Sequence, residues 1–150
     1  MDINSALSDV LVKLFRNIEE IEEQAIRTEE YKDMTTNDMR VIEAVGMEGQ
    51  KNMTTVAKAL HVTTGTLTIS INSLVKKSYV ERVRSEEDRR VVLVSLTEKG
   101  KKAFLHHKHF REQMTDAIVE QLSEEEKAVF QKALERLNNF FYRREKTDSV

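Results

Sequence analysis

At Ser78 the apolar period of the chain changes from about four residues to two, and few features constrain a fold as tightly. Before that point Val56, Ala57 and Leu60 lie on one face of a short helix. Leu67, Ile71, Leu74 and Val75 lie on one face of a longer one. After it, Val80, Arg82 and Arg84 alternate with Glu81, Val83 and Ser85, and Val92, Val94 and Leu96 alternate with Leu93 and Ser95. β-Branched alternation of this kind predicts strands. The connection Ser85–Arg89 is wholly polar or charged. The segment Met53–Thr97 therefore reads as helix, tight turn, second helix and two-stranded hairpin: a winged helix-turn-helix.

The second helix carries Thr63, Thr64, Thr66, Thr68, Ser70 and Asn72 away from its apolar face. Threonine is a mediocre helix former, so such a cluster on an exposed helix needs a reason. Short side chains that donate and accept hydrogen bonds suit a helix that reads base edges in the major groove. Thr63 and Thr64 stand at the helix start, where they can cap it or hold phosphates. Thr66, Thr68 and Asn72 are better placed for bases. Gly65 allows close backbone approach to phosphate or simply eases the turn. Lys76 and Lys77 end the helix, where they complement its dipole or contact phosphate. In the hairpin, Arg84, Arg89 and Arg90 surround an acidic tip of Glu86, Glu87 and Asp88. The bland alternatives are a solvated helix face and a surface salt-bridge cluster.

Charge distribution favours the DNA reading. The net charge is −2. Residues 1–50 hold 5 Lys/Arg against 12 Asp/Glu, a balance of −7, and residues 103–150 hold 8 against 9. Residues 51–102 hold 11 against 5, a balance of +6. Phosphate binding depends on local charge, and the basic segment coincides with the helix-turn-helix.

The sequence Asp88-Arg89-Arg90-Val91-Val92-Leu93-Val94-Ser95-Leu96-Thr97-Glu98-Lys99-Gly100 resembles the wing signature of the MarR family of bacterial transcription regulators: Asp-x-Arg, an apolar strand, then Leu-Thr-x-x-Gly. The resemblance extends in order and spacing over nearly the whole chain. It implies an intertwined two-fold dimer with two winged domains, bound to a palindromic operator in double-stranded DNA. It also implies that the wing enters the minor groove through an arginine, with Asp88 orienting basic residues; Arg90 matches the motif and Arg89, at the tip, competes for the groove. Thr64-Gly65-Thr66-Leu67-Thr68, the wing and Leu122-Ser123-Glu124-Glu125-Glu126 are similar to the branch of that family that represses fatty acid synthesis. That resemblance implies a long-chain acyl–acyl-carrier protein as corepressor, with an apolar cavity between helices for the acyl chain. Basic residues would meet the acidic carrier, Lys13, Arg16 and Arg27 being candidates. Phe104, Phe110, His106 and His107 are candidates for the ligand cavity.

The rest of the chain is expected to be helical. It has 0 proline and 4 glycines. Leu7, Val10, Leu11, Leu14, Phe15, Ile18, Ile21 and Ala25 mark a first helix over 5–26 with an acidic face of Glu19, Glu20, Glu22 and Glu23. Thr35 or Thr36 caps a short helix of Met39, Val41, Ile42 and Val45 that ends at Gly46, and 46–52 is expected as a loop. Thr97 caps a helix from about Glu98 to Gln121. Ser123 and Glu126 form a capping box for a last helix to about Arg144, which buries Val129, Phe130, Ala133, Leu134, Leu137, Phe140 and Phe141. This apolar surface exceeds what one winged domain covers, so a homodimer is expected. The predicted class is mainly α with a small β-hairpin wing (α+β), one domain over 1–150. Its winged helix-turn-helix lies at about 35–100 and its dimerisation helices at about 1–28 and 101–145.

Other classes find little support. The chain has 0 cysteine, which excludes disulfides and thiolate metal sites. His106, His107 and His109 fall in one helical turn, and core or interface packing outweighs a metal site for them; no metal and no cofactor is expected. No catalytic motif is present. No basic-then-apolar leader and no apolar run of spanning length is visible, so a soluble cytoplasmic protein is expected, without membrane contact. Two alternatives stand beside the acyl-responsive repressor: a repressor of an efflux or stress operon released by a small molecule, and a helical interaction protein without DNA binding.

Overall fold

The computed structural model describes residues 1–26 and 28–148, except the side chains of Phe15, Glu19, Glu29, Glu145 and Asp148. The expectations for Arg27 and for the Phe15 and Glu19 side chains lie outside that description. The described chain forms two compact units, residues 1–110 and residues 111–150.

The first unit holds α1 (Ile3–Ile26), α2 (Thr36–Val45), β1 (Lys51–Asn52), α3 (Met53–Ala59), α4 (Thr64–Lys76), β2 (Val80–Arg84), β3 (Val92–Leu96) and the start of α5 (Glu98–Val119). Side-chain caps set the starts of its short helices. Thr35 Oγ1 accepts from the Asp38 amide at 3.0 Å while Asp38 accepts from the Thr35 amide, a closed capping box. Asn52 caps α3 through Thr55, and Thr63 caps α4 through Thr66. Left-handed residues bend the chain where these elements meet: His61 has φ 55° and Ser78 has φ 69°.

The sheet contains the expected two-stranded hairpin and adds a strand to it. It has three antiparallel strands in the order β1-β3-β2. Lys51 and Asn52, expected in a loop, pair with Val94 and Leu93. Across the hairpin, Val80 faces Leu96 and Arg84 faces Val92. The extra strand ties the start of α3 to the wing, so helix-turn-helix and wing share one frame.

The core gathers the apolar faces foreseen above. Ile42, Val45, Val56, Leu67, Ile71, Leu74, Tyr79, Val80 and Val94 are fully buried. Thr97 anchors the exit from the sheet: its hydroxyl donates to the Ser78 carbonyl at 2.6 Å and accepts from the Gly100 amide at 3.1 Å. Gly100 has a steric reason to be glycine. A Cβ there would lie 2.1 Å from the Tyr79 carbonyl oxygen, so the Leu-Thr-x-x-Gly pattern marks where α5 crosses the strand entry.

The second unit contains the end of α5 and α6 (Glu124–Asp148). The expected capping box is present: the Glu126 amide donates to Ser123 Oγ and the Ser123 amide to Glu126 Oε1. These bonds, the Ser123 backbone first, hold the Glu126 carboxyl below the ordinary carboxylate range. Burial differs from expectation. Val129, Phe130, Leu134, Leu137, Phe140 and Phe141, expected inside, are exposed in the single chain. No described helix is long and apolar enough to cross a membrane.

Candidate nucleic-acid interface

The outer side of α4 is set by its inner side. With Leu67, Ile71 and Leu74 buried, helical geometry turns Gly65, Ile69, Asn72 and Lys76 outward, flanked by Thr66 and Thr68. Thr64, Thr66, Thr68, Ile69, Asn72 and Lys76 are all exposed.

Local bonds organise these side chains. Thr63 Oγ1 donates to Thr66 Oγ1 at 3.1 Å, leaving the Thr66 hydroxyl proton for another acceptor. Thr68 Oγ1 donates back to the Thr64 carbonyl at 2.8 Å, so this hydroxyl presents lone pairs. Ser70 turns toward α2, where Asn37 Nδ2 donates to its Oγ at 3.2 Å. Gly65 is not required by the turn: its φ is ordinary, and an added Cβ would meet only Thr63 Oγ1, at 3.8 Å. Neither the turn nor packing within the described residues requires a glycine at this position.

The wing adds cations at the side of this helix. Arg82 on β2 donates through Nη1 to Asn72 Oδ1. A guanidinium only donates, so the carbonyl half of the Asn72 amide faces Arg82 and the amide N–H groups remain for an acceptor. Arg82, Arg84, Thr68, Met53, Val83 and Val92 line a cleft of about 450 Å³ between α4 and the hairpin. Arg84 Nη1 donates to the Arg89 carbonyl at 2.9 Å and pins the loop. Asp88 accepts from Arg90 at Nε (3.1 Å), Nη2 (3.2 Å) and the backbone amide (3.1 Å). The Arg90 guanidinium first, then its amide, hold the Asp88 carboxyl below the ordinary range. The Asp-x-Arg motif is thus an intraloop clasp. Arg89 stands at the tip, and its guanidinium has no hydrogen bond or ion pair among the described residues.

Lys77 does not offer its charge to solvent: Nζ donates to the Asp33 carbonyl at 2.7 Å and to Asp38 Oδ2 at 2.8 Å. It ties the end of α4 to the start of α2. Arg82 was not a candidate in the sequence because alternation places it on a strand without naming its partner ten residues upstream.

The ligand candidates have structural partners of their own. His107 is buried with Nε2 2.9 Å from Glu43 Oε1. His106 Nε2 lies 3.2 Å from the Ala25 carbonyl, with its ring against Tyr31 at 5.4 Å. Phe104 packs on the core and Phe110 is half-buried. Lys13 pairs with Asp9 at 2.8 Å, and Arg16 is exposed. No group of three or more His, Cys, Asp or Glu among the described residues could hold a metal ion.

The fold and this surface define a winged helix-turn-helix transcriptional regulator, a DNA-binding and non-enzymatic class. The sequence model of the transcriptional regulator SarA/Rot family matches residues 24–106, and the chain belongs to that family, of MarR/SarA type. Over 114 residues it is 32% identical to the regulator SarZ of Staphylococcus haemolyticus, covering 73% of this chain and 75% of SarZ. Over 85 residues it is 32% identical to the regulator YpoP of Bacillus subtilis, and that match spans 58% of YpoP. The structure of Streptococcus pneumoniae FabT in complex with DNA superposes with TM-score 0.86 at 40% identity, covering 93% of this chain and 97% of FabT. The fold is shared at lower identity by other solved structures, MarR of E. coli among them.

Proposed function

We propose that the chain binds a palindromic operator as a homodimer and represses the genes behind it, with α4 in the major groove and Arg89 at the wing tip in the minor groove. One observation carries this: the exposed Thr66–Thr68–Asn72 face of α4 is flanked by Arg82 and Arg84 and ends beside a clasped arginine loop. A narrow minor groove favours arginine because its negative potential is enhanced. In this reading Arg90 positions the loop and Arg89 enters the groove. The exposed apolar residues of α1, α5 and α6 supply the dimer interface. Selection from random duplexes with the purified chain tests it. The enriched site should have a dyad with half-sites about 10 bp apart, or a multiple. Enrichment of nothing, or of sites without a dyad, overturns the reading.

The likeness to FabT over almost the whole chain favours a finer reading, that the repressed genes serve fatty acid synthesis and that long-chain acyl–acyl-carrier protein is the corepressor. A ligand shifts the DNA-competent state only by its differential affinity for it. An acyl chain in an apolar cavity contributes about 0.8 kcal/mol per buried CH₂, so operator affinity should rise steeply with acyl length. A flat series, or tightening by the unacylated carrier, rejects this branch in favour of small-molecule release.

A further inference from the structure

Ile69 breaks the rule that builds the rest of α4. Leu67, Ile71 and Leu74 are buried, yet Ile69, on the opposite side, is 74% exposed. Between Thr36 and Leu96 no other described large apolar side chain is as exposed; Val83 and Val62 follow at 48% and 38%. Isolated apolar residues occur on any protein surface, and a β-branched residue gains nothing for an exposed helix. This one stands in the middle of the outward ridge, one turn after Gly65 and one turn before Asn72. At Gly65 the helix carries no side chain beside it, and an added Cβ would meet only Thr63 Oγ1, at 3.8 Å.

We propose that Ile69 is a specificity-determining residue that reads the C5-methyl group of thymine in the operator. The inference rests on the reading of α4 as the helix that enters the major groove. Only a thymine edge presents a methyl there. Isoleucine against that methyl removes apolar surface of both from water. Cytosine in the same place lacks the methyl, so isoleucine has no apolar surface to cover there. Ile69 therefore selects thymine by contact with its methyl group. Asn72, held by Arg82 one turn further on, presents amide donors to the neighbouring acceptor, so the two residues read adjoining positions.

The experiment uses the full chain and the operator selected above. Each thymine is replaced in turn by deoxyuridine, which removes only the methyl group. Affinity is measured for the wild type, Ile69→Ala and Ile69→Val. One thymine per half-site should be sensitive, the wild type losing about fourfold per methyl, or about fifteenfold when both half-sites are changed. Ile69→Ala should bind the thymine operator more weakly by at least that factor and lose nothing further with deoxyuridine there, while Ile69→Val keeps part of the sensitivity. Because Ile69 is exposed, thermal melting of both variants should match the wild type. A wild type indifferent to every deoxyuridine, or an Ile69→Ala variant still sensitive at the same thymine, overturns the assignment while the groove reading stands. A wild type that selects no sequence overturns both.

Discussion

The winged unit and the last helix obey the same periodic rule with opposite results. In the winged unit the stripes of α2, α3 and α4 meet one another and the sheet, and Ile42, Val45 and Leu74 reach zero exposure. In α6 the stripe of Val129, Phe130, Leu134, Leu137, Phe140 and Phe141 is as regular, and every one of these side chains is more than a third exposed. Periodicity states that a face is to be covered. What covers it depends on the rest of the chain, or on another chain. The contrast separates a unit that closes on itself from a helix whose apolar stripe stays exposed in the single chain; in the proposed dimer a second copy covers it.

The strongest way to break the contrast is to charge the α6 stripe. Phe130→Asp with Leu134→Asp should leave the winged unit folded but dissociate the dimer, with light scattering falling from twice 17.4 kDa to 17.4 kDa and operator affinity lost with it. An unchanged mass would mean that another surface holds the copies together. Within the closed unit, Ile42→Ala should cost about 2–5 kcal/mol of unfolding free energy with the dimer mass retained; a loss below 1 kcal/mol in denaturant melts would show that this core is not close-packed. Lys77→Ala sharpens the division between structural and DNA-facing cations. It should lower stability by about 1–3 kcal/mol, because the buried Asp38 loses a charged donor. Its affinity for random DNA should hold; a parallel drop on operator and random DNA would restore the phosphate role. The smallest effect is expected at the wing. Asp88 is held below the ordinary carboxylate range, so its clasp is complete above that range and is lost only as pH falls through the lowered value. An NMR titration of the Asp88 carboxyl should show this, and Asp88→Asn should remove it. An Asp88 that titrates in the ordinary range would mean an open loop.

Much of this was legible because it is local. Capping residues act over three positions, so Thr35, Thr63 and Ser123 could be read as caps. Asp88 and Arg90 are two apart. The change of period at Ser78 placed β2 and β3. What escaped depends on distance or on context. β1 has two residues, too few for alternation to show. The partners of Lys77 lie 39 and 44 residues away, and a lysine at a helix end looks the same whether it meets an aspartate or a phosphate. Helical spacing already leaves Ile69 off the stripe of Leu67, Ile71 and Leu74, but its exposure shows only once the helix is packed. The exposure of α6 could not be read from periodicity, which marks an apolar face without saying what meets it.

The central claim is that α4, steadied by Arg82, reads base sequence while the surrounding charge holds the backbone. The most direct measurement is the ratio of operator to scrambled-duplex affinity for the wild type, Asn72→Ala and Arg82→Ala over a series of salt concentrations. Both affinities of the wild type should fall steeply with salt as counterions are released. Asn72→Ala should reduce the ratio by about 1–3 kcal/mol with affinity for scrambled DNA preserved, and Arg82→Ala should reduce it in the same direction. Equal losses on both duplexes, with the ratio unchanged in either variant, would contradict the account.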